Sequence, residues 1–291
     1  MAHSVVIASV GRADVLAATV RHLLALSTPP DEVVVSCAAE SDVTAETVRR
    51  AGVRVVTGPK GLPRQRNRGA DAARPDADWI SFLDDDVALR DDALAEAGAF
   101  LVRRPDVVAL SGAVLADGVR TGGIARPDAE ALLAGDAAAH PAPPQSFHDE
   151  GLYGCNMHVR RSALDRVRFD ERLPGYAWLE DRDFSERVRG LGRVGRFTGS
   201  RVVHLGVPSG RQPGLRMGYA QVVNPLYLWR RAGSLPARDA AALVGRVTLR
   251  NLAGALRPDP LVDRRGRLRG NARGLADAFR GRLDPERMLD L

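Results

Sequence analysis

The chain has 291 residues, 45% hydrophobic and 27% charged, which suits one large domain or two small ones and excludes wholesale disorder. Only two cysteines, Cys37 and Cys155, are present, so neither a disulfide framework nor a four-cysteine zinc site is available. The net charge is +6, and the excess is local: from Arg211 onward there are 16 arginines, no lysine and seven acids.

In chain order, His3–Ser9 and Val33–Val35 are short apolar runs of the kind that form buried parallel strands. Between them Leu16, Val20, Leu23 and Leu24 give Ala13–Leu26 a helical spacing. Asp42–Ala51 reads as a helix capped by Asp42. Val53–Val56 is a third strand, Arg64–Ala73 a helix, and Trp79–Leu83 a strand that runs into Asp84, Asp85 and Asp86. Asp91–Arg103 (helix) and Val107–Gly112 (strand) continue the alternation, which implies an α/β fold with a mostly parallel sheet covered on both faces. Ala113–Glu150, rich in Ala, Gly, Pro and Asp, reads as an irregular surface excursion. Gly154–Arg160 and Val202–Leu205 read as strands and Asp181–Leu191 as a helix. Beyond residue 210 the pattern is helical and basic. Leu215–Trp229 is interrupted by Pro225, and Ala240–Leu256 sets Leu243, Val244, Val247, Leu252 and Leu256 on one face. No stretch has the roughly 18 uninterrupted apolar residues of a membrane span, and no basic segment precedes Ser4–Val10. The expectation is an intracellular protein with reduced thiols.

Three features carry chemistry. The first is the acidic strand end. Ligands of parallel sheets bind at the C-terminal ends of strands, and packed carboxylates need a cation or solvent. Alternation puts Asp84 and Asp86 on one side and turns Asp85 away. Oxygen ligands of this kind suit Mg²⁺ or Mn²⁺ bridging a diphosphate; the same acids also suit a solvated turn. The second is Tyr176-Ala-Trp178-Leu-Glu180-Asp181-Arg182-Asp183, with acids at a helix start. They serve either as caps or as a base for an incoming hydroxyl, and Trp178 and Tyr176 offer a wall for a sugar ring or belong to the core. The third is His204 at an apolar strand end, a ligand candidate if it lies beside the aspartates and a structural residue otherwise.

Taken in order, Val5-Val-Ile-Ala8-Ser9-Val-Gly11-Arg12, Gly61-Leu-Pro-Arg64-Gln-Arg66-Asn67-Arg68-Gly69, Asp84–Asp86, Gly154-Cys-Asn156-Met157, Phe169-Asp-Glu171 and Glu180-Asp181-Arg182-Asp183, with Arg187 and Gly192 behind, resemble the family 2 glycosyltransferases over roughly residues 4–205. The resemblance implies the Rossmann-like GT-A fold over residues 1–210, followed by the basic helical extension, 211–291. It implies a metal-dependent, inverting transfer of sugar from a nucleoside-diphospho-sugar to a hydroxyl on a glycan, glycolipid or small molecule. Residue by residue, it implies that Asp84 holds the nucleoside, with Ala8, Ser9, Arg12, Ser36, Arg66 and Asp85 in the donor pocket. Asp86 and His204 hold Mn²⁺ or Mg²⁺. Asp181 is the general base, positioned with Glu180, and Gly154, Asn156, Trp178 and Glu180 meet the acceptor. Asn67 and Gly69 shape the turn into their helix. The chain departs from the family at Ser36-Cys37-Ala38, where relatives carry acids that contact the base or ribose, and at Ala8-Ser-Val-Gly11, where many have Pro-Thr-Tyr-Asn.

A nucleotidyltransferase shares such a sheet and metal-carboxylate chemistry, but normally grips its triphosphate with a Gly-rich basic loop, and only Gly11-Arg12 stands there. A non-catalytic sugar- or nucleotide-binding module could lose either acidic cluster, and both are intact. Nucleic acid is not the expected partner, because Asp239, Asp263 and Asp277 interrupt the basic tail. The tail suits a solvated surface first, and then an anionic membrane surface, with peripheral attachment at the cytoplasmic face, or a helical extension packed on the core or used in a homodimer contact.

Overall fold

The computed structural model describes residues 2–210, 212–256 and 261–291; Arg211, where the sequence begins the basic extension, lies outside the described residues. The chain forms two compact units, one of residues 1–60, 64–168 and 188–210, the other of 61–63, 169–187 and 211–291.

The first unit alternates as the apolar runs require: β1 (Ala2–Ser9), α1 (Ala13–Leu24), β2 (Glu32–Cys37), α2 (Ala45–Arg49), β3 (Val53–Thr57), α3 (Leu62–Ala72), β4 (Ala77–Asp84), β5 (Val87–Leu89), α4 (Ala93–Arg103), β6 (Val107–Asp117), α5 (Arg126–Ala139), β7 (Phe147–Asp149), β8 (Asn156–Arg160) and α6 (Arg161–Leu164). After α7 (Glu180–Val188), a helix of the second unit, β9 (Arg193–His204) completes the sheet. The strand order is β3-β2-β1-β4-β8-β6-β9-β5, with β7 also on β9. The longest ladders, β6 with β9 and β1 with β2 and β4, are parallel, whereas β8 runs antiparallel to both its neighbours. Only Asp85 and Asp86 separate β4 from β5, yet β5 pairs at the far end of the order with β9. The sheet therefore curls until its two parts meet at those aspartates.

The central strands are buried on both faces, while the edge strand β3 and the short β7 are partly exposed. Val5, Ile7, Val33, Val35 and Leu83 pack on Leu16, Val20 and Leu23 of α1, while Trp79, Leu110 and Phe197 pack on Phe100 and Leu101 of α4. Helix α3 lies close on β1, because a Cβ at Gly69 would collide with Val6. Gly69 is thus a close-approach residue inside the helix and not part of its turn.

Three local expectations are corrected. Asp42 does not cap a helix: α2 is capped by Thr44, whose hydroxyl accepts from Thr47 N. Residues 113–150 are largely regular. β6 continues to Asp117, and α5 covers β5 and β9 through Ala129 and Leu133. β9 is twelve residues long, beginning nine residues earlier than its apolar end suggests, because its first half alternates buried and half-exposed positions.

In the second unit α8 (Gly214–Tyr227) runs through Pro225 into a π turn at Leu228–Ala232, followed by α9 (Ala237–Ala255) and α10 (Arg264–Phe279). Gly218 of α8 and Gly270 of α10 meet backbone to backbone, where a side chain would clash with Arg267 O or Leu215 O. Asn251 of α9 is buried between them, its Nδ2 donating to Gln221 Oε1 (2.8 Å) and Asn271 Oδ1 (2.9 Å). Leu173, Ala177, Tyr227, Leu228, Leu235 and Ala240 form a second small core. Among the described residues no helix is long and apolar enough to cross a membrane.

Candidate functional site

The site forms where β4 ends. Register fixes its parts before any side chain is considered. Asp84 lies beside Ala8 of β1, and its N–H donates to Cys155 O at 3.1 Å. His204 lies beside Val87 of β5 and Asp117 of β6, and Leu205 N donates to Asp86 O at 2.8 Å. The imidazole Nε2 is consequently 3.4 Å from Asp86 Oδ1 and 3.7 Å from Asp84 Oδ2. One ligand atom each from Asp84, Asp86 and His204 fall within 4.8 Å of one another. His204, distant in sequence, thus converges with the neighbouring Asp84 and Asp86 on one point.

Surrounding groups hold each member. Asp86 Oδ2 accepts from Val207 N (2.8 Å) and Arg12 Nη1 (3.3 Å), which leaves Oδ1 toward His204. His204 Nδ1 is 3.2 Å from Asp117 Oδ1, and Tyr153 donates its hydroxyl to Asp117 Oδ2 at 2.7 Å. The Tyr153 ring stands edge-on to the imidazole. Burial alone would lower the His204 pKa, but the hydrogen bond to Asp86 and the charges of Asp84, Asp86 and Asp117 push it up to about 9. Burial would raise Asp86, and the contacts from His204 and Arg12 lower it instead. Asp84 goes up through burial, against the opposing charges of Arg66 and His204.

Asp85, in the two-residue turn between β4 and β5, faces the other way. Its side chain is fully buried, accepting from Ser9 Oγ and from Arg12 Nε at 3.1 Å. Burial lifts its pKa to about 7 even with Arg12 alongside. The direct donor contact expected of Asp85 is therefore corrected: it holds Arg12, whose guanidinium reaches on to Asp86. Ser36 and Asn156 are also wholly buried. Ser36 offers its carbonyl to Gln65 Nε2 (2.7 Å), and Asn156 Oδ1 accepts from Gly112 N (3.4 Å). Neither side chain reaches solvent in this structure. Arg66 Nη2 donates to Gly154 O (2.6 Å) and lies 3.3 Å from Asp84 Oδ1. Ala8 remains half-exposed beside Asp84.

The sequence reading missed four residues. Asp42 ties the loops after β1 and β2 together, accepting from Gly11 N (2.7 Å) and from Ala38 and Ala39 N (2.9 Å each). Gln65 bridges the same two strand ends through Ser9 O (3.0 Å) and Ser36 O. For Asp42 the cue was an acid just after the departed Cys37-Ala38 stretch, and for Gln65 its place inside the Gly61–Gly69 motif. Tyr153 and Asp117 gave no such cue, because β6 reads as ended at Gly112.

The acidic helix start belongs to the second unit. Gly175, Ala177 and Leu179 have φ of 64°, 52° and 76°, so two non-glycine residues sit in the left-handed region immediately before Glu180. Such strain persists only where surroundings impose it, and it gathers at working segments. Asn224 Nδ2 donates to Trp178 O at 2.8 Å and helps fix the turn. Asp183 is structural: it is buried and accepts from Arg187 (2.6 and 2.9 Å) and Ser234 (2.6 Å). Glu180 is buried, and Asp181 is half-buried with Oδ1 accepting from Arg182 N at 2.8 Å. Trp178 is half-buried and Tyr176 exposed.

The family model described as glycosyl transferase family 2 matches residues 4–167. Among solved structures, TarS 1–349 of S. aureus in complex with UDP-GlcNAc is 16% identical, with a TM-score of 0.60 over 99% of this chain and 83% of that one. The mannosyltransferase PcManGT from Pyrobaculum calidifontis, in complex with GDP-Man and Mn²⁺, is 18% identical, with a TM-score of 0.53 over 96% and 86%. Glucosyl-3-phosphoglycerate synthase from Mycobacterium tuberculosis, with Mn²⁺, UDP and glucosyl-3-phosphoglycerate, is 18% identical, with a TM-score of 0.51 over 81% of each chain. At these identities the likeness establishes the shared fold. No curated protein matches the chain significantly.

Proposed function

The chain belongs to glycosyl transferase family 2, and we propose that it moves a sugar from a nucleoside-diphospho-sugar to an acceptor hydroxyl, inverting the anomeric carbon. The observation that carries this reading is the convergence of Asp84, Asp86 and His204 at the end of β4. Two carboxylates and an imidazole make a donor set suited to Mn²⁺ or Mg²⁺, and these three residues would hold that ion. When bound, it offsets charge on the departing diphosphate. The relatives that carry GDP-Man or UDP with Mn²⁺ support the same assignment.

The chain's own groups prepare the rest. Asp117, held by Tyr153, fixes the His204 ring with Nε2 toward the two carboxylates. Arg12, backed by Asp85, and Arg66, backed by Gly154 O, supply fixed positive charge for an anionic donor. Asp42 and Gln65 stiffen the wall that in relatives carries acids. Asp181 accepts the acceptor's proton as its oxygen attacks the anomeric carbon, and the sugar–phosphate bond breaks on the opposite face. Glu180 positions Asp181 and the acceptor.

The test is binding and hydrolysis across UDP-, GDP- and dTDP-sugars with Mn²⁺, Mg²⁺ or chelator, for wild type and Asp86→Ala. Metal-dependent binding of one donor class, lost in the variant, is expected. The product anomer, read by NMR, should be inverted. Absence of donor binding under every condition would refute the reading.

A further inference from the structure

Helix α9 is amphipathic the wrong way round for a helix that serves only its own core. Its inward side carries Asn251, 1% exposed and held in the amide cluster with Gln221 and Asn271. Leu243, Val244 and Val247 are only half-buried. The outward side is apolar: Ala242, Gly245, Leu249, Leu252, Ala253 and Leu256 are all exposed. The three leucines are 66%, 51% and 82% exposed. At 100° per residue these six fall within a sector of about 100°. Leu252 and Leu256 therefore do not share a face with Leu243, Val244 and Val247, which corrects the sequence expectation. From Ala242 to Leu256, at 1.5 Å per residue, this stripe is about 21 Å long, and Arg238 stands on the same side in the first turn.

Charge selects what covers it. Arg246 and Arg250 flank the stripe on one side, both exposed. Neither has a carboxylate within ion-pair distance among the described residues. The helix's one acid, Asp239, is taken by Arg182 at 2.9 Å. A second copy packed through the same face of α9 brings the same arginines and no free acid of that helix to answer them. An anionic bilayer answers both features at once, taking up the leucines and pairing the guanidinium groups with phosphates. We propose that α9 lies flat on an anionic phospholipid surface, with Leu249, Leu252 and Leu256 inserted below the headgroups and Arg246 and Arg250 at their level. No helix among the described residues is apolar enough to span, so the contact is interfacial and reversible.

The experiment is co-sedimentation of the full chain with vesicles of phosphatidylglycerol in phosphatidylcholine, and with phosphatidylcholine alone. Wild type should sediment with the anionic vesicles only, and salt should weaken binding. Changing Arg246 and Arg250 to Gln should lower the partition coefficient about fivefold per arginine. Changing Leu249, Leu252 and Leu256 to Gln should abolish sedimentation. All five positions are exposed, so circular dichroism and the melting temperature should not change. Three outcomes would overturn the proposal: no binding to anionic vesicles at low salt, binding that survives the leucine changes, or a dimer in sedimentation velocity that the leucine changes dissolve. Vesicle binding is read without donor, so it stands or falls separately from the transferase reading.

Discussion

Two histidines inside the sheet set an acid limit on stability. Ser81 Oγ on β4 lies 2.7 Å from His3 Nε2 on β1 and 2.6 Å from His158 Nδ1 on β8. A hydroxyl has one proton to give, so one ring nitrogen must donate to Ser81 and the other must accept. Burial holds both imidazoles neutral, each with its pKa lowered to about 3. In the unfolded chain each titrates near 6.5. Below that pH the unfolded state takes up protons that the folded state refuses, so stability falls with pH by about 1.4 kcal/mol per unit per histidine. Between pH 7 and 5 each histidine costs about 2 kcal/mol, a large part of a typical folding free energy. Asp85 works in the opposite sense. Its pKa is raised to about 7, so the folded state holds that proton longer and gains stability over the same interval. The clean measurement is therefore a difference: urea unfolding of wild type and His158→Asn at pH 7 and pH 5. The variant is destabilised at pH 7 by its lost packing and hydrogen bond. That deficit should shrink by about 2 kcal/mol at pH 5, while the contribution of Asp85 cancels. A deficit independent of pH would mean that His158 is protonated in the folded state or reached by water, and the argument would fail.

Two further outcomes test separate parts of the molecule. Asp181→Asn keeps an oxygen for Arg182 N, so it should fold and bind donor as wild type does. Its kcat should fall about 10²–10⁴-fold, and undiminished turnover would remove Asp181 from the base role. Glycine-to-alanine changes in two helices should act with opposite sign. Gly69→Ala drives a methyl into Val6 and should destabilise by about 1–3 kcal/mol. Gly135→Ala, on α5 with nothing within 4 Å, should stabilise by up to about 1 kcal/mol in thermal or urea unfolding.

What could be read in advance follows from the range of the forces involved. The alternation of β1 to β4 and then β6 was legible because apolar runs mark buried parallel strands, whereas the three-residue β5 was not read. The acidic strand end was legible because the apolar run of β4 stops at Asp84; Asp85 and Asp86 form the turn beyond it, and that turn, not a pleat, brings Asp86 back beside Asp84. The partners of those residues were not. Asp117 lies on a stretch of β6 whose burial fades from full to partial, so local pattern could not extend the strand. Its meeting with His204 depends on a register break in β9, where the residues facing Gly112 and Ala113 jump from Phe197 to Arg201.

The reading of α9 failed in a more informative way. Five apolar residues were assigned to one face on the assumption that apolar side chains seek the chain's own core. The helix instead turns Asn251 inward, where α8 and α10 approach through glycines too closely to admit large side chains and a shared amide cluster satisfies the polar groups. Periodicity reports which residues leave water together; it does not report which apolar phase receives them. In α9 the outward leucines and unanswered arginines are legible only after the inward face is known to be occupied, and that is a property of three helices together and not of one segment.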